Sequence, residues 1–150
     1  MSTQDYTATI HASTSAKNAV EAIDRVGAWW TKSFEGAAKR VGDTFNVRFG
    51  DTFVVFEVVE HTDEKIVWHV TDSRLPWLRD KTEWTGTDIV WQVTLEGRDT
   101  RVQMTHKGLV PTVECYTNCE RGWDFYVGKS LRKLLVEGEG LPDGRTGEHA

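Results

Sequence analysis

The side chains with most to offer chemistry in this 150-residue chain are its indoles, one imidazole and two thiols. Seven tryptophans, Trp29, Trp30, Trp68, Trp77, Trp84, Trp91 and Trp123, are spread over most of its length. Each joins a large apolar face to a single N–H donor, so such a set either fills a core or lines a cavity that grips an apolar or aromatic guest. The cavity is the favoured expectation. His106 lies in a strand-like segment, and an inward imidazole there needs a partner: a structural hydrogen bond is the first expectation, ligand contact the second, acid–base work the third. Cys115 and Cys119 have the spacing of neighbours on one helical face. With His106 they would supply three soft ligands. A structural zinc wants four, usually from loop-borne pairs, so no metal or other cofactor is expected. Cys119 is expected as a small apolar filler, and both thiols as reduced.

Other reactive patterns are missing. There is no nucleophile elbow, phosphate loop, dinucleotide fingerprint or HExxH, and Gly138-Glu139-Gly140 follows a helix instead of opening one. No catalytic residue is therefore assigned. Glu57, Asp72, Glu83 and Glu114 would qualify as paired carboxylates only if two faced one cavity. A net charge of -5 without a basic stripe argues against a nucleic-acid partner, because that binding depends on Lys and Arg displacing counterions. No apolar run approaches the roughly 20 residues of a membrane span, and Met1 to Tyr6 carries no basic-then-apolar leader. The expectation is a soluble, cytoplasmic protein with no membrane partner, and no motif specifies its oligomeric state.

These residues need a scaffold. Tyr6 to Ala12 alternates like an opening strand; Ser13 or Ser15 then caps a short helix through Ala16, Ala19, Val20 and Ile23, and Val26 to Thr31 reads as a second short helix or turn. From Phe34 the texture is strands and turns: Thr44 to Phe49, Thr52 to His61 across Gly50-Asp51, Lys65 to Thr71, a loop from Asp72 to Thr85, then Gly86 to Glu96 and Thr100 to Leu109 around Gly97-Arg98-Asp99. After Pro111 a helical spacing runs for roughly 25 residues and stops at Gly138, Gly140 and Pro142. A curved antiparallel sheet with one apolar face needs a cover, and only this last helix is long enough. The reading is one α+β domain over residues 1–140 with a flexible tail over 141–150.

The order of elements is that of the helix-grip fold, and particular segments carry a family likeness. KIVWHVTD at Lys65 to Asp72, DKTEWTGT at Asp80 to Thr87, THKGLVP at Thr105 to Pro111 and SLRKLLVEGEG at Ser130 to Gly140 resemble the START-like SRPBCC superfamily. Within it they are most similar to the AHSA-type branch, named for the C-terminal domain of activators of the ninety-kilodalton heat-shock chaperone ATPase. The likeness covers roughly residues 7 to 140. It implies a curved sheet wrapped around a long C-terminal helix with a cavity between them. The superfamily includes lipid and hormone carriers, cyclases and co-chaperones, so the fold alone does not select a chemistry.

Strand alternation selects the inward residues: Val54, Phe56 and Val58; Ile66, Trp68 and Val70; Ile89, Trp91, Val93 and Leu95; Val102, Met104 and His106. The helix adds Tyr116, Cys119, Trp123 and Tyr126. The expected ligand-binding set is Trp29, Trp30, Phe56, Trp68, Trp77, Trp84, Trp91, Met104, His106, Tyr116, Cys119, Trp123 and Tyr126, around a cavity on the order of 300 Å³ or more. Trp29 and Trp30 would close one mouth, and the Asp72 to Thr85 loop with Leu75, Trp77 and Leu78 the other. The partner this suggests is a small apolar or aromatic molecule or a lipid, held by a carrier or sensor. The alternatives are a cyclase- or dehydratase-type enzyme with His106 as proton shuttle, and a chaperone-linked interaction module with a place in stress response.

Overall fold

The computed structural model describes residues 5–142. The alternating YTATIHA segment forms β1 (Tyr6–Ala12), and Ser15 then accepts the Asn18 N–H on its hydroxyl at 3.0 Å, capping α1 (Ala16–Asp24). The apolar stripe of α1, Ala19, Val20, Ala22 and Ile23, is buried, as its helical spacing requires. After α2 (Val26–Trp29) come β2 (Phe34–Gly36), β3 (Thr44–Phe49), β4 (Thr52–His61), β5 (Lys65–Arg74), β6 (Asp88–Glu96) and β7 (Asp99–Lys107). These strands make one antiparallel sheet in the order β1-β7-β6-β5-β4-β3-β2. The first strand therefore pairs with the last, Tyr6 lying opposite His106.

The covering rod is α3 (Tyr116–Phe125), a π-helical turn (Tyr126–Leu131) and α4 (Arg132–Glu137). Gly138 ends it in the left-handed conformation, its N–H reaching the Leu134 carbonyl at 2.9 Å. Tyr6 ties β1 to the rod by donating its hydroxyl to the Asp124 carboxylate, and burial first, then that carboxylate, pushes the phenol far above its ordinary value. Sheet, two short helices and rod make up the expected helix-grip α+β fold. Leu141 donates its N–H to Ser130 Oγ at 2.7 Å, so the start of the expected tail is held; residues 143–150 lie outside the described ones.

Three expectations are corrected. β5 continues three residues into the predicted loop because β4 still runs alongside it, pairing Val54 with Ser73 and Phe53 with Arg74 beyond a bulge at Val55/Phe56. Leu95 is 64% exposed, not inward: it stands two residues from the Gly97-Arg98 turn, where the hairpin end projects past its cover. The C-terminal helix is not α-helical throughout. Its π turn contains Gly128, a poor α-former, and Ser130, whose hydroxyl donates to the Trp29 carbonyl at 2.6 Å.

Candidate functional site

The aromatic residues divide into two groups. In the interior, Trp91 meets Trp29 edge-on at 5.6 Å between ring centroids and Trp68 at 5.3 Å; Phe45 and Phe56 approach Trp68 at 5.0 and 5.6 Å. Met104 pairs with Trp91 across β6 and β7. Trp29, Phe45, Phe56, Trp68, Trp91 and Met104 of this group are buried in the core. The indole N–H groups of Trp68, Trp84 and Trp91 are buried without a hydrogen-bond partner. Edge-to-face packing around Trp68 and Trp91 offsets part of that cost.

The second group borders an open cleft of about 230 Å³ at one end of the rod. Its walls come from the end of α2 (Trp30), the tip of the β3–β4 hairpin (Phe49, Thr52, Val54), the loop after β5 (Leu75, Trp77, Trp84), α3 (Asn118, Cys119, Gly122, Trp123) and the first residue of the π turn, Tyr126. Trp84 and Trp123 stack nearly parallel, 14° apart with centroids at 5.9 Å, and Trp30 packs on Trp123 at 4.9 Å. No carboxylate, amine or guanidinium is among the lining residues. Gly122 shapes the space. A Cβ built there would meet nothing within 4 Å, although a glycine inside a helix costs about 1 kcal/mol relative to Ala.

His106 lies behind this wall, buried and outside the cleft lining. Trp123 Nε1–H donates to His106 Nδ1 at 3.1 Å, which makes Nδ1 the acceptor and puts the ring proton on Nε2. Nε2–H then donates to Thr87 Oγ1 at 3.0 Å, and the Thr87 hydroxyl donates to the Trp84 carbonyl at 2.6 Å. Burial lowers the imidazole pKa to about 3. With both nitrogens engaged, His106 braces the two stacked indoles. Gly108 permits this arrangement: its φ of +106° and the 2.6 Å that would separate an added Cβ from Thr87 Cγ2 leave room for hydrogen alone.

Cys115 and Cys119 are joined as a disulfide with Cα atoms 5.6 Å apart, which corrects the expectation of two reduced thiols. One helical turn places the two residues within the usual Cα separation for a bridge, a possibility that the absence of a secreted-type framework had obscured. The same turn is fastened to the loop after β5. Cys115 N–H donates to Glu83 Oε2 at 3.0 Å, and Arg79 N–H donates to Glu114 Oε1 at 2.9 Å. These two carboxylates thus serve as backbone anchors. No group of three or more His, Cys, Asp or Glu able to hold a metal ion occurs among the described residues.

Of the thirteen residues expected to line a site, the structure brings together Trp30, Trp77, Trp84, Cys119, Trp123 and Tyr126 at the cleft. It places Trp29, Phe56, Trp68, Trp91 and Met104 in the closed core and His106 in the relay behind the wall. Tyr116 points elsewhere, toward Glu120, whose negative charge and hydrogen bond, after partial burial, raise its phenol pKa. Trp29 does not close a mouth; its indole N–H donates to the Ile23 carbonyl at 3.3 Å inside the core. The cleft measures about 230 Å³ against an expectation on the order of 300 Å³ or more. Phe49, Thr52, Val54, Leu75, Asn118 and Gly122 complete the wall from outside the expected ligand-binding set. Gly122, like Gly128, is visible in the sequence as a glycine that weakens an otherwise strong helical pattern.

No family model matches the chain, and no curated protein matches it. Solved structures do. The chain is similar to the Aha1 dimer from Colwellia psychrerythraea, with a TM-score of 0.74 and 24% identity over 91% of this chain and 98% of that one. It is also similar to SSP2350 from Staphylococcus saprophyticus, with a TM-score of 0.68 and 17% identity over 91% and 94% of the two chains. DynU16, from the dynemicin biosynthetic locus, matches with a TM-score of 0.67 and 16% identity over 93% of this chain; the chain spans about half of DynU16. These likenesses, all below 25% identity, show the fold that the resemblance implied.

Proposed function

We propose that this helix-grip protein is a carrier or sensor that holds a small apolar, ring-containing molecule in the cleft between the β3–β4 tip, the loop after β5 and α3. The observation that supports it most is Gly122: the rod keeps a helix-weakening residue where a side chain would stand in otherwise open, aromatic-walled space. A void of about 150 Å³ already admits benzene, so about 230 Å³ suits one or two fused rings. The uncharged lining calls for a neutral guest, or one whose charged group stays at the mouth beside Trp77.

Titration with 1-naphthol, followed by intrinsic tryptophan fluorescence, tests this. Saturable quenching that disappears in Gly122→Leu is the expected result. No saturable response, or equal affinity in the variant, overturns it.

The commitment of both His106 nitrogens weighs against the enzyme alternative built on that residue. The exposed large apolar side chains, Val41, Val59, Trp77, Leu95 and Val136, come from five separate elements or loops, a pattern that gives little support to an adaptor with one docking patch.

A further inference from the structure

We propose that Cys115 and Cys119 form a thiol–disulfide exchange site entered through the apolar cleft, with Cys119 as the sulfur attacked. The two cysteines differ in access. Cys119 is 8% exposed and belongs to the cleft wall, whereas Cys115 is 0% exposed and does not. A small thiol can therefore approach one end of the bond and not the other.

The exchange is directional. A low-molecular-weight thiol, as its thiolate, attacks Cys119 Sγ; the Sγ–Sγ electron pair leaves on Cys115 Sγ, which takes up a proton. A second thiolate attacks the external sulfur of the mixed disulfide and releases Cys119 as a thiolate, which is then protonated. Two small thiols are oxidised to one small disulfide, and the protein disulfide is reduced to two thiols. The direction is set by access alone; the nearby Glu83 carboxylate gives no help to a thiolate at Cys115.

The site is coupled to the cleft. The turn that holds the disulfide also anchors the loop bearing Leu75, Trp77 and Trp84, through Glu83 and Glu114. Oxidation state and cleft shape accordingly act on one another. The exchange uses the cleft as a passage and needs no resident ligand, so it stands or falls separately from the carrier reading.

The test uses the folded full-length protein, oxidised with diamide, then reduced with 2-mercaptoethanol and quenched with N-ethylmaleimide for intact-mass analysis. Reduction is expected under native conditions, and Gly122→Leu, which fills the passage, should slow it by about tenfold or more. In single-cysteine variants, 4,4′-dithiodipyridine should modify Cys119 in Cys115→Ser about a hundredfold faster than Cys115 in Cys119→Ser. Failure of the folded protein to form the bridge, reduction only at the rate of global unfolding, insensitivity to Gly122→Leu, or equal thiol rates would each overturn the proposal.

Discussion

His106 shows how a single ring can fix a wall without touching what the wall encloses. Its folded pKa of about 3 lies below the value near 6.5 of an unfolded histidine, so between those pH values the unfolded chain binds a proton that the folded chain refuses. Stability from this group is therefore complete above about pH 6.5 and falls as pH drops toward 3, by about 1.4 kcal/mol per unit. Asp24 acts in the opposite sense: burial raises its carboxyl, which His61 only partly counters, so its folded form gains relative stability as pH falls. The difference between wild type and His106→Gln isolates the imidazole. Urea melts at pH 7 and pH 5 should show wild type losing about 2 kcal/mol more than the variant, with parallel losses refuting the assignment. Trp123→Phe leaves His106 Nδ1 buried and unpaired and should cost about 1–3 kcal/mol in the same melts. The inward position of His106 was legible from alternation on β7; its partners were not, because Thr87 and Trp123 reach it from elements far away in sequence.

At the scale of elements, α3 and the loop after β5 meet through two backbone-to-carboxylate hydrogen bonds. Replacing both Glu83 and Glu114 by Ala should leave the sheet intact and free the loop. Hydrogen exchange should speed up by about tenfold or more at the Arg79 and Cys115 amides while the β6 and β7 amides keep their protection. Unchanged exchange at both sites would show that packing of Leu75 and Leu78 alone holds the loop. Gly122 makes a complementary case. Gly122→Ala should raise stability by about 0.5–1 kcal/mol, since a Cβ meets no neighbour and the helix gains propensity. A thermal melt that moves downward would mean that the space is filled by a side chain rearranging in solution. Helix limits and strand faces were readable from apolar spacing. The π turn was not, because one inserted residue within a 22-residue rod leaves a threes-and-fours pattern almost unchanged.

Across the whole molecule, six of the seven tryptophans are buried and only Trp77, 48% exposed, stands at the cleft mouth. Iodide should therefore quench a minor fraction of the emission, and Trp77→Phe should abolish that fraction; extensive quenching in the variant would contradict a closed core. This split also explains which part of the site could be read in advance. Strand parity says which face a residue takes but not whether the space before it is empty. Trp68, Trp91 and Met104 share the parity of a cavity wall and turn out to be filling. Trp30, Trp84 and Trp123 differ from them only in lying at one end of the rod, a position fixed by how the sheet curves. The fold, in contrast, follows from element order and the need to cover one apolar sheet face, and both are local properties of the chain.

The pairing of Tyr6 with His106 bears on how the molecule is made. One hundred residues separate these partners, so β1, synthesised first, has no lateral neighbour until β7 has formed. Closing so long a loop is entropically costly and slow compared with the local hairpins, which places β1 docking late in assembly. Until then the edge of β7 is uncovered, and a chain lacking its first strand would offer that edge to a second copy.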